Sequence, residues 1–452
     1  MQDPQELHDA AREIFDEALG AADARRAVLC AVESDGRLLR VGDARFELPG
    51  GAPKVYAVAL GKAAAQMAAA LDERLGEGLA AGVLSAPPSD LALSGRWRVY
   101  EGGHPLPNES SLEAARAAFG LLRAADDPTA LVVFLVSGGG SAMLELPRDP
   151  RLTLCDLREA NRVLVTCGAG IAEVNAVRRA LSAVKGGGLA SRAPRAAQAT
   201  LIISDVGAGR ACDVASGPTL EPAEDSPPVA EIVARYGLAR TLPAAVVRAL
   251  EEAGSRPAPP PTPRARRSFR ILLDNEKACE AAVGAARARG FAAELARDVV
   301  DQHVGEGASA LVSRLADLYA RAGAAEGRAV CLISGGEFSC PVRGGGTGGR
   351  NSETALRCAF EFESAARGGG DVRLPGRLVA LCAGTDGIDG NSPAAGALAD
   401  GTTLARARSL GLNPESFLQA SDAHSLFARL GDAVMTGPTG TNVRDLRILL
   451  AA

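Results

Sequence analysis

The sequence predicts an α/β fold of two domains, each built on a parallel or mixed sheet flanked by helices. Six apolar runs of strand length each end in a polar or glycine-rich turn, and alanine-rich amphipathic stretches of helical length usually follow them. The 452 residues also exceed what one ordinary core holds. In chain order, VYAVAL (55–60) precedes GKAAAQMAAAL, LVVFLV (131–136) precedes SGGGSAM, and ATLII (199–203) precedes SDVGAGR. RILL (270–273) precedes DNEKACEAA, AVCLI (329–333) precedes SGGEFSC, and LVALCAG (378–384) precedes TDGIDG. Continuous apolar runs separated by helices mean strands covered on both faces, which is the mark of parallel α/β sheets.

The proline-rich stretch SRPAPPPTPRARRS, 255–268, divides these runs three and three. It reads as an extended linker between a Rossmann-like domain over 1–254 and a second α/β domain over 269–452. The end of the chain, after TNVRDL, is expected to be a helix, and whether it packs back on the first domain is left open. VVFLVSGGGSAM and AVCLISGGEFSC form a weak internal echo across the linker.

A net charge of -5 and an isoelectric point near 5.6 exclude the basic face that a nucleic acid or membrane surface would demand, so the partner is a small molecule. The start, MQDPQELHDAAREIFDEAL, is charged and amphipathic, and no apolar run approaches the roughly 18 residues that span a bilayer. A cytoplasmic location follows as the expectation. Nine cysteines without a CxxC pair read as small buried residues in a reducing compartment. Four histidines, none paired at helical spacing, make a histidine-rich metal site improbable.

In parallel sheets ligands bind beyond the carboxyl ends of strands, where the glycines and charges of this chain fall. The turn Ser137-Gly138-Gly139-Gly140-Ser141 exposes backbone N–H groups with no Cβ in the way, and a following helix would add partial positive charge; both suit phosphate. It matches neither a Walker A loop nor GxGxxG. Lys62, directly after VYAVALG, is a candidate phosphate partner; Lys185 in VKGGGLA is a second one, with helix termination by its glycines as the bland alternative. Asp205, Glu337 and Asp386 follow strands directly, and oxygen ligands of this kind suit Mg²⁺ held between protein and phosphate. Asp389 is better read as a turn residue. Arg350 and Asn351, closing GGGTGGRN, could reach a phosphoryl group or a substrate carboxylate. Thr385, before Asp386, and Thr439, in TGPTGTNVRDL, supply hydroxyls for a hydroxylated ligand or for capping. With no GxSxG, HExxH or kinase catalytic-loop motif, phosphoryl transfer remains, and a nicotinamide enzyme is the fold-level competitor.

Taken in order, VSGGGSAMLELP, VRRALSAVKGGGLA, SDV…ASGPT, SGGE…GGRNSE, GTDGIDGN..AAGA and GDAVMTGPTGTNV resemble the glycerate 2-kinase family with its C-terminal MOFRL domain, over residues 5–447. The resemblance implies ATP-dependent phosphorylation of D-glycerate at its 2-hydroxyl with Mg²⁺, two α/β domains with the active site in the cleft between them, and leaves a homodimer open. It carries Lys62 and Arg350 over as the two functional cations, and Asp205, Glu337 and Asp386 as the strand-end carboxylates, without fixing which of them touch the metal; in the transfer expected here Asp386 or Asp205 places the metal or accepts the hydroxyl proton. The chain departs from the family where Ala208 and Gly209 replace a Gly-Asp pair, where Ala180 replaces a histidine, and where Ser421, Asp422, Ala423 replaces Asn-Asp-Ser. A kinase for another small hydroxy acid, a hydroxypyruvate reductase, and a non-catalytic binding protein of the same fold are the rival expectations. The missing dinucleotide fingerprint weighs against reduction.

Overall fold

The computed structural model describes residues 4–35, 38–47, 54–223, 226–254, 265–323, 328–367 and 374–452. The chain divides into two compact units: Ala24–Leu272 forms one, and the residues up to Asp23 together with Leu273–Ala452 form the other. This differs from a division at the proline-rich stretch, most of which (255–264) lies outside the described residues. The difference has a packing cause. The first helix, Pro4–Ala21, buries Leu7, Ala11, Ile14, Phe15 and Ala18 at one-turn spacing, and packs that face on helix Asn275–Ala288 of the second unit.

The unit Ala24–Leu272 begins with a small antiparallel sheet of β1 (Val32–Ser34), β2 (Leu38–Val41) and β3 (Ala44–Glu47). Its main sheet has β4 (Val55–Leu60), β5 (Leu79–Ala86), β6 (Trp97–Glu101), β7 (Leu131–Ser137), β8 (Ala197–Ile203) and β9 (Arg267–Leu273), in the order β6-β5-β4-β7-β8-β9. The pairs β4/β5, β4/β7, β5/β6 and β7/β8 are all parallel. All seven residues of β7, LVVFLVS, are buried, as a central strand covered on both faces requires. From β4 the chain first builds outward through β5 and β6, then returns to build β7 and β8 on the other side. The carboxyl ends of β4 and β7 therefore flank a topological switch point, where adjacent loops diverge and leave a crevice.

The second unit carries β10 (Ala292–Leu295), β11 (Val330–Ser334), β12 (Leu378–Gly384), β13 (Gly396–Asp400), β14 (Ala433–Val434) and β15 (Asp445–Ala451), in the order β10-β11-β15-β12-β13-β14. Only β10/β11 is a parallel pair, so this sheet is mixed. The end of the chain is not a helix: β15 lies at the sheet centre, antiparallel to both β11 and β12. Its seven residues are all buried, Asp445 and Arg447 included, and the short apolar run after them fits a central strand as well as a buried helix. Register pairs Ser334 with Arg447 and Gly384 with Asp445, so the start of β15 lies between the carboxyl ends of β11 and β12. Among the described residues no helix is long and apolar enough to cross a membrane.

Candidate active site

In the unit Ala24–Leu272, the turns after β4 and β7 are locked together. The Lys62 N–H donates to the Gly138 carbonyl at 2.8 Å, and the Ala63 N–H to Ser137 Oγ at 3.0 Å. Gly61 has φ +113, and a Cβ there would stand 2.4 Å from the Ser137 carbonyl oxygen, so only glycine lets the two turns approach. Asp205, after β8, reaches the same turn: a Cβ on Gly138 would stand 1.9 Å from its Oδ2. A Cβ on Gly139 would lie 3.1 Å from both Lys62 Cγ and His104 Cδ2. The glycine turn thus gathers Lys62, Asp205 and a histidine that sequence reasoning left unassigned. The helix after it spans only Gly140–Met143, so little dipole reinforces the site, contrary to expectation.

Lys185 is not a partner of this turn. Its ammonium is 2% exposed and forms an ion pair with Glu145, whose Oε1 also accepts from Ser182 Oγ at 2.5 Å. Burial lowers the lysine's pKa, against the opposing pull of Glu145. The ammonium compensates a buried carboxylate, which corrects its assignment to phosphate.

A polar chain that spacing gave no hint of stands behind the turn. Ser141 Oγ lies 2.9 Å from Ser216 Oγ, Ser216 donates to Asn175 Oδ1 at 2.9 Å, and Asn175 Nδ2 donates to Asp213 Oδ1 at 3.4 Å. Arg179 and Arg210 pair with Asp213, the latter through Nε at 2.6 Å. Ala215 and Ser216 hold φ of +50 and +61, strained values for residues with a Cβ. The ASGPT motif was the one available signal, since it supplies the tight turn.

In the second unit, Arg350 opens helix Arg350–Ala366 and is held by two carboxylates. Its Nε and Nη2 bond Asp445 at 2.6 and 3.0 Å, and Nη1 meets Glu337 at 2.6 Å. Burial opposes the charge, but Asp445 and then Glu337 outweigh it and hold the guanidinium above its usual range. The side chain stays 34% exposed, so part of it remains in reach of solvent. Behind it Arg447, fully buried, has its guanidinium carbon 3.4 Å from the Phe338 ring centre and Nη2 3.6 Å from Asp445. Asn351 donates from Nδ2 to Asp445 at 3.1 Å, and Gly384 brings it near Asp386: a Cβ there would lie 3.5 Å from that Nδ2 and 3.2 Å from Asp386 Oδ1.

Asp389 accepts from the Asn351 N–H, the Ser352 N–H and Ser352 Oγ at 2.9, 2.8 and 2.7 Å, so it anchors the helix start rather than merely turning the chain. Burial raises its pKa against those bonds. Thr385 is fully buried; its hydroxyl donates to the Arg444 carbonyl at 2.7 Å and accepts from the Val443 N–H at 2.8 Å. It shapes the loop and offers a ligand nothing, a correction to its assignment. Thr439 donates to the Thr385 carbonyl at 2.6 Å and serves the same loop.

Glu337 faces Arg350 and also Arg444, at 3.7 Å, a setting that suits an ion pair and not a metal. Among the described residues no three His, Cys, Asp or Glu side chains gather as a metal cage. Mg²⁺ bound to a nucleotide needs only one or two protein carboxylates, because phosphate and water complete its shell. Asp205, beside the glycine turn, fits that limited demand. Asp445 and Arg447 were missed because charged residues inside DLRILLA gave no sign of which strands would flank them.

A family model described as a domain of unknown function, DUF4147, matches residues 10–251, and the MOFRL family model matches 330–445. An Agrobacterium vitis protein named "Putative hydroxypyruvate reductase" is 37% identical over 87% of this chain and 98% of its own length. The D-glycerate 2-kinase of Thermotoga maritima is 34% identical over 87% of this chain and 90% of its own. The crystal structure titled as glycerate kinase from that organism superposes with a TM-score of 0.78 at 31% identity, covering 99% of this chain and 100% of that one.

Proposed function

The chain belongs to the glycerate 2-kinase family with a C-terminal MOFRL domain, and we propose that it transfers the terminal phosphoryl group of ATP to the 2-hydroxyl of D-glycerate, releasing 2-phosphoglycerate and ADP. The observation that carries this reading is the locked pair of turns at the switch point, where Lys62 and the glycine turn Ser137–Ser141 meet. Backbone N–H groups and a point cation suit nucleotide phosphates, and the turn lacks the GxGxxG geometry of dinucleotide binding.

In this reading Lys62 and the glycine turn hold the phosphates. Arg350 binds an anion, the moving phosphoryl group or the glycerate carboxylate, while Asp445 and Glu337 hold the guanidinium in place. The 2-hydroxyl oxygen bonds to the terminal phosphorus as the bridging P–O bond to ADP breaks, and Asp386 accepts the hydroxyl proton. Asp205 would help to hold Mg²⁺, which would supply charge neutralisation when bound. Positioning and electrostatics carry most of such a transfer.

³¹P NMR of the product formed from ATP, Mg²⁺ and D-glycerate tests substrate and regiochemistry together. A 2-phosphoglycerate resonance is expected; 3-phosphoglycerate, or inorganic phosphate alone, would refute the reading. A second reading has one structural observation behind it. Ala180, where the family carries a histidine, lines a cavity of about 1360 Å³ in the unit Ala24–Leu272, room that a different hydroxy acid could exploit. An ADP-release panel over hydroxy acids separates the two. Reduction of hydroxypyruvate, suggested by the name of the Agrobacterium relative, predicts NAD(P)H oxidation and is tested by that assay.

A further inference from the structure

The hydrogen-bonded chain behind the glycine turn has a direction, and that direction decides what Ser141 offers a ligand. Asp213 can only accept, because its carboxylate is met by Arg179, by Arg210 and by Asn175 Nδ2. The Asn175 amide is thereby oriented with Oδ1 toward Ser216, which donates its one proton there at 2.9 Å. Ser216 has no second proton, so at the 2.9 Å contact between the hydroxyls Ser141 must be the donor. The Ser141 proton points inward, and only lone pairs of its Oγ face the glycine turn.

Phosphate oxygens are acceptors and gain nothing from lone pairs. A hard cation does, and the same turn already has the Asp205 carboxylate against Gly138. We propose that Ser141 Oγ is an oxygen ligand of the divalent cation that accompanies the nucleotide, with Ser216, Asn175 and Asp213 as positioning residues that keep its lone pairs turned outward. This rests on the kinase reading above and alters one part of it: Ser141 belongs with the metal and not with the phosphate donors.

The test is direct binding, read by electron paramagnetic resonance of free Mn²⁺ titrated into the full chain with ADP. Ser141→Ala is expected to weaken Mn²⁺ about tenfold or more, and Ser216→Ala, checked for folding by circular dichroism, by about tenfold. Ser141→Cys supplies the arm that packing loss cannot imitate: a soft sulfur ligand should shift preference from Mn²⁺ toward Cd²⁺ relative to the wild type. An unchanged metal order in Ser141→Cys overturns the assignment even if Ser141→Ala weakens Mn²⁺, and so does a wild type that shows no ADP-dependent Mn²⁺ binding. A wild type inactive on D-glycerate whose metal arms behave as expected would sink the glycerate reading alone.

Discussion

Arg350 and the fully buried Asp445 form a two-point guanidinium–carboxylate pair, Nε to Oδ2 at 2.6 Å and Nη2 to Oδ1 at 3.0 Å. Such a fork fixes the plane of the guanidinium as well as its position. Asp445 also faces Arg447 and accepts from Asn351, so its removal strands the buried Arg447 and leaves Arg350 with Glu337 alone. Asp445→Ala should destabilise the protein by about 3–5 kcal/mol in denaturant titration. Asp445→Asn, which keeps the shape but not the charge, should lose activity more than stability. Equal, small effects of both substitutions would show that the pair does not position Arg350.

Lys62→Ala and Arg350→Ala should each lower kcat by about 10² or more, the scale of removing one electrostatic contact from a transferring group. The two differ in stability. Arg350→Ala takes the shared cation from Asp445 and Glu337, leaving them only the longer contacts to Arg447 and Arg444, and should also lower the melting temperature. Near-normal turnover in either variant removes that residue from the mechanism.

Each of the six apolar runs read from the sequence became a strand, because a segment apolar on both faces has few other places to go. The residues at the switch point were legible for the same reason, since Lys62 and SGGGS follow two such runs directly, whereas the adjacency of β4 and β7 was not. Three things escaped. The antiparallel sheet of residues 32–47 has short strands and no sustained period. Asp445 depends on β15 inserting between β11 and β12, a long-range pairing that no local pattern encodes. The chain Ser141, Ser216, Asn175 and Asp213 is assembled from segments 34 or more residues apart. Lys185 and Thr385 misled because side-chain type and position reveal a donor without revealing that a buried neighbour already uses it.

Lys185→Met should act on stability and not on nucleotide affinity. It leaves Glu145 buried without its cation, a loss of about 3–5 kcal/mol, whereas Lys185→Met combined with Glu145→Gln should recover much of it. Denaturant midpoints of the two single variants and the double variant measure the coupling. A folded Lys185→Met protein with a KM for ATP raised severalfold would instead return this lysine to the phosphates.

The first helix is tied to the second unit by His8, whose Nε2 lies 2.8 Å from Asp400 Oδ2. Burial alone would raise the Asp400 pKa, but the bonds from His8 and Thr402 and the charge of Arg406 together hold it below its ordinary value. An acid depressed in this way contributes stability above its unfolded pKa of about 3.9, and the contribution is lost as pH falls through the folded value. Asp432, raised by burial, works with the opposite sign: its contribution is present at low pH and fades as pH rises. Between about pH 4 and about pH 2 the wild-type melting temperature should therefore fall further than that of Asp400→Asn. Parallel curves would mean that this contact carries no acid sensitivity.

The glycine turn makes the most local prediction. A Cβ on Gly138 would stand 1.9 Å from Asp205 Oδ2 and 2.4 Å from its Cγ, far inside contact distance, so Gly138→Ala must push the carboxylate away or shift the turn. Gly138 is buried directly after β7, so the melting temperature should fall as well, and circular dichroism at the assay temperature confirms that the variant is folded. Activity should fall by about 10² or more, because a displacement of about 1 Å among catalytic groups is enough for that. Gly207→Ala is the control: nothing lies within 4 Å of a Cβ there, although Gly207 follows Asp205 by only two residues. Its kinetics should match the wild type. If both variants were fully active, the close approach of Asp205 to Gly138 would have no part in catalysis, and the carboxylate would have to be sought elsewhere.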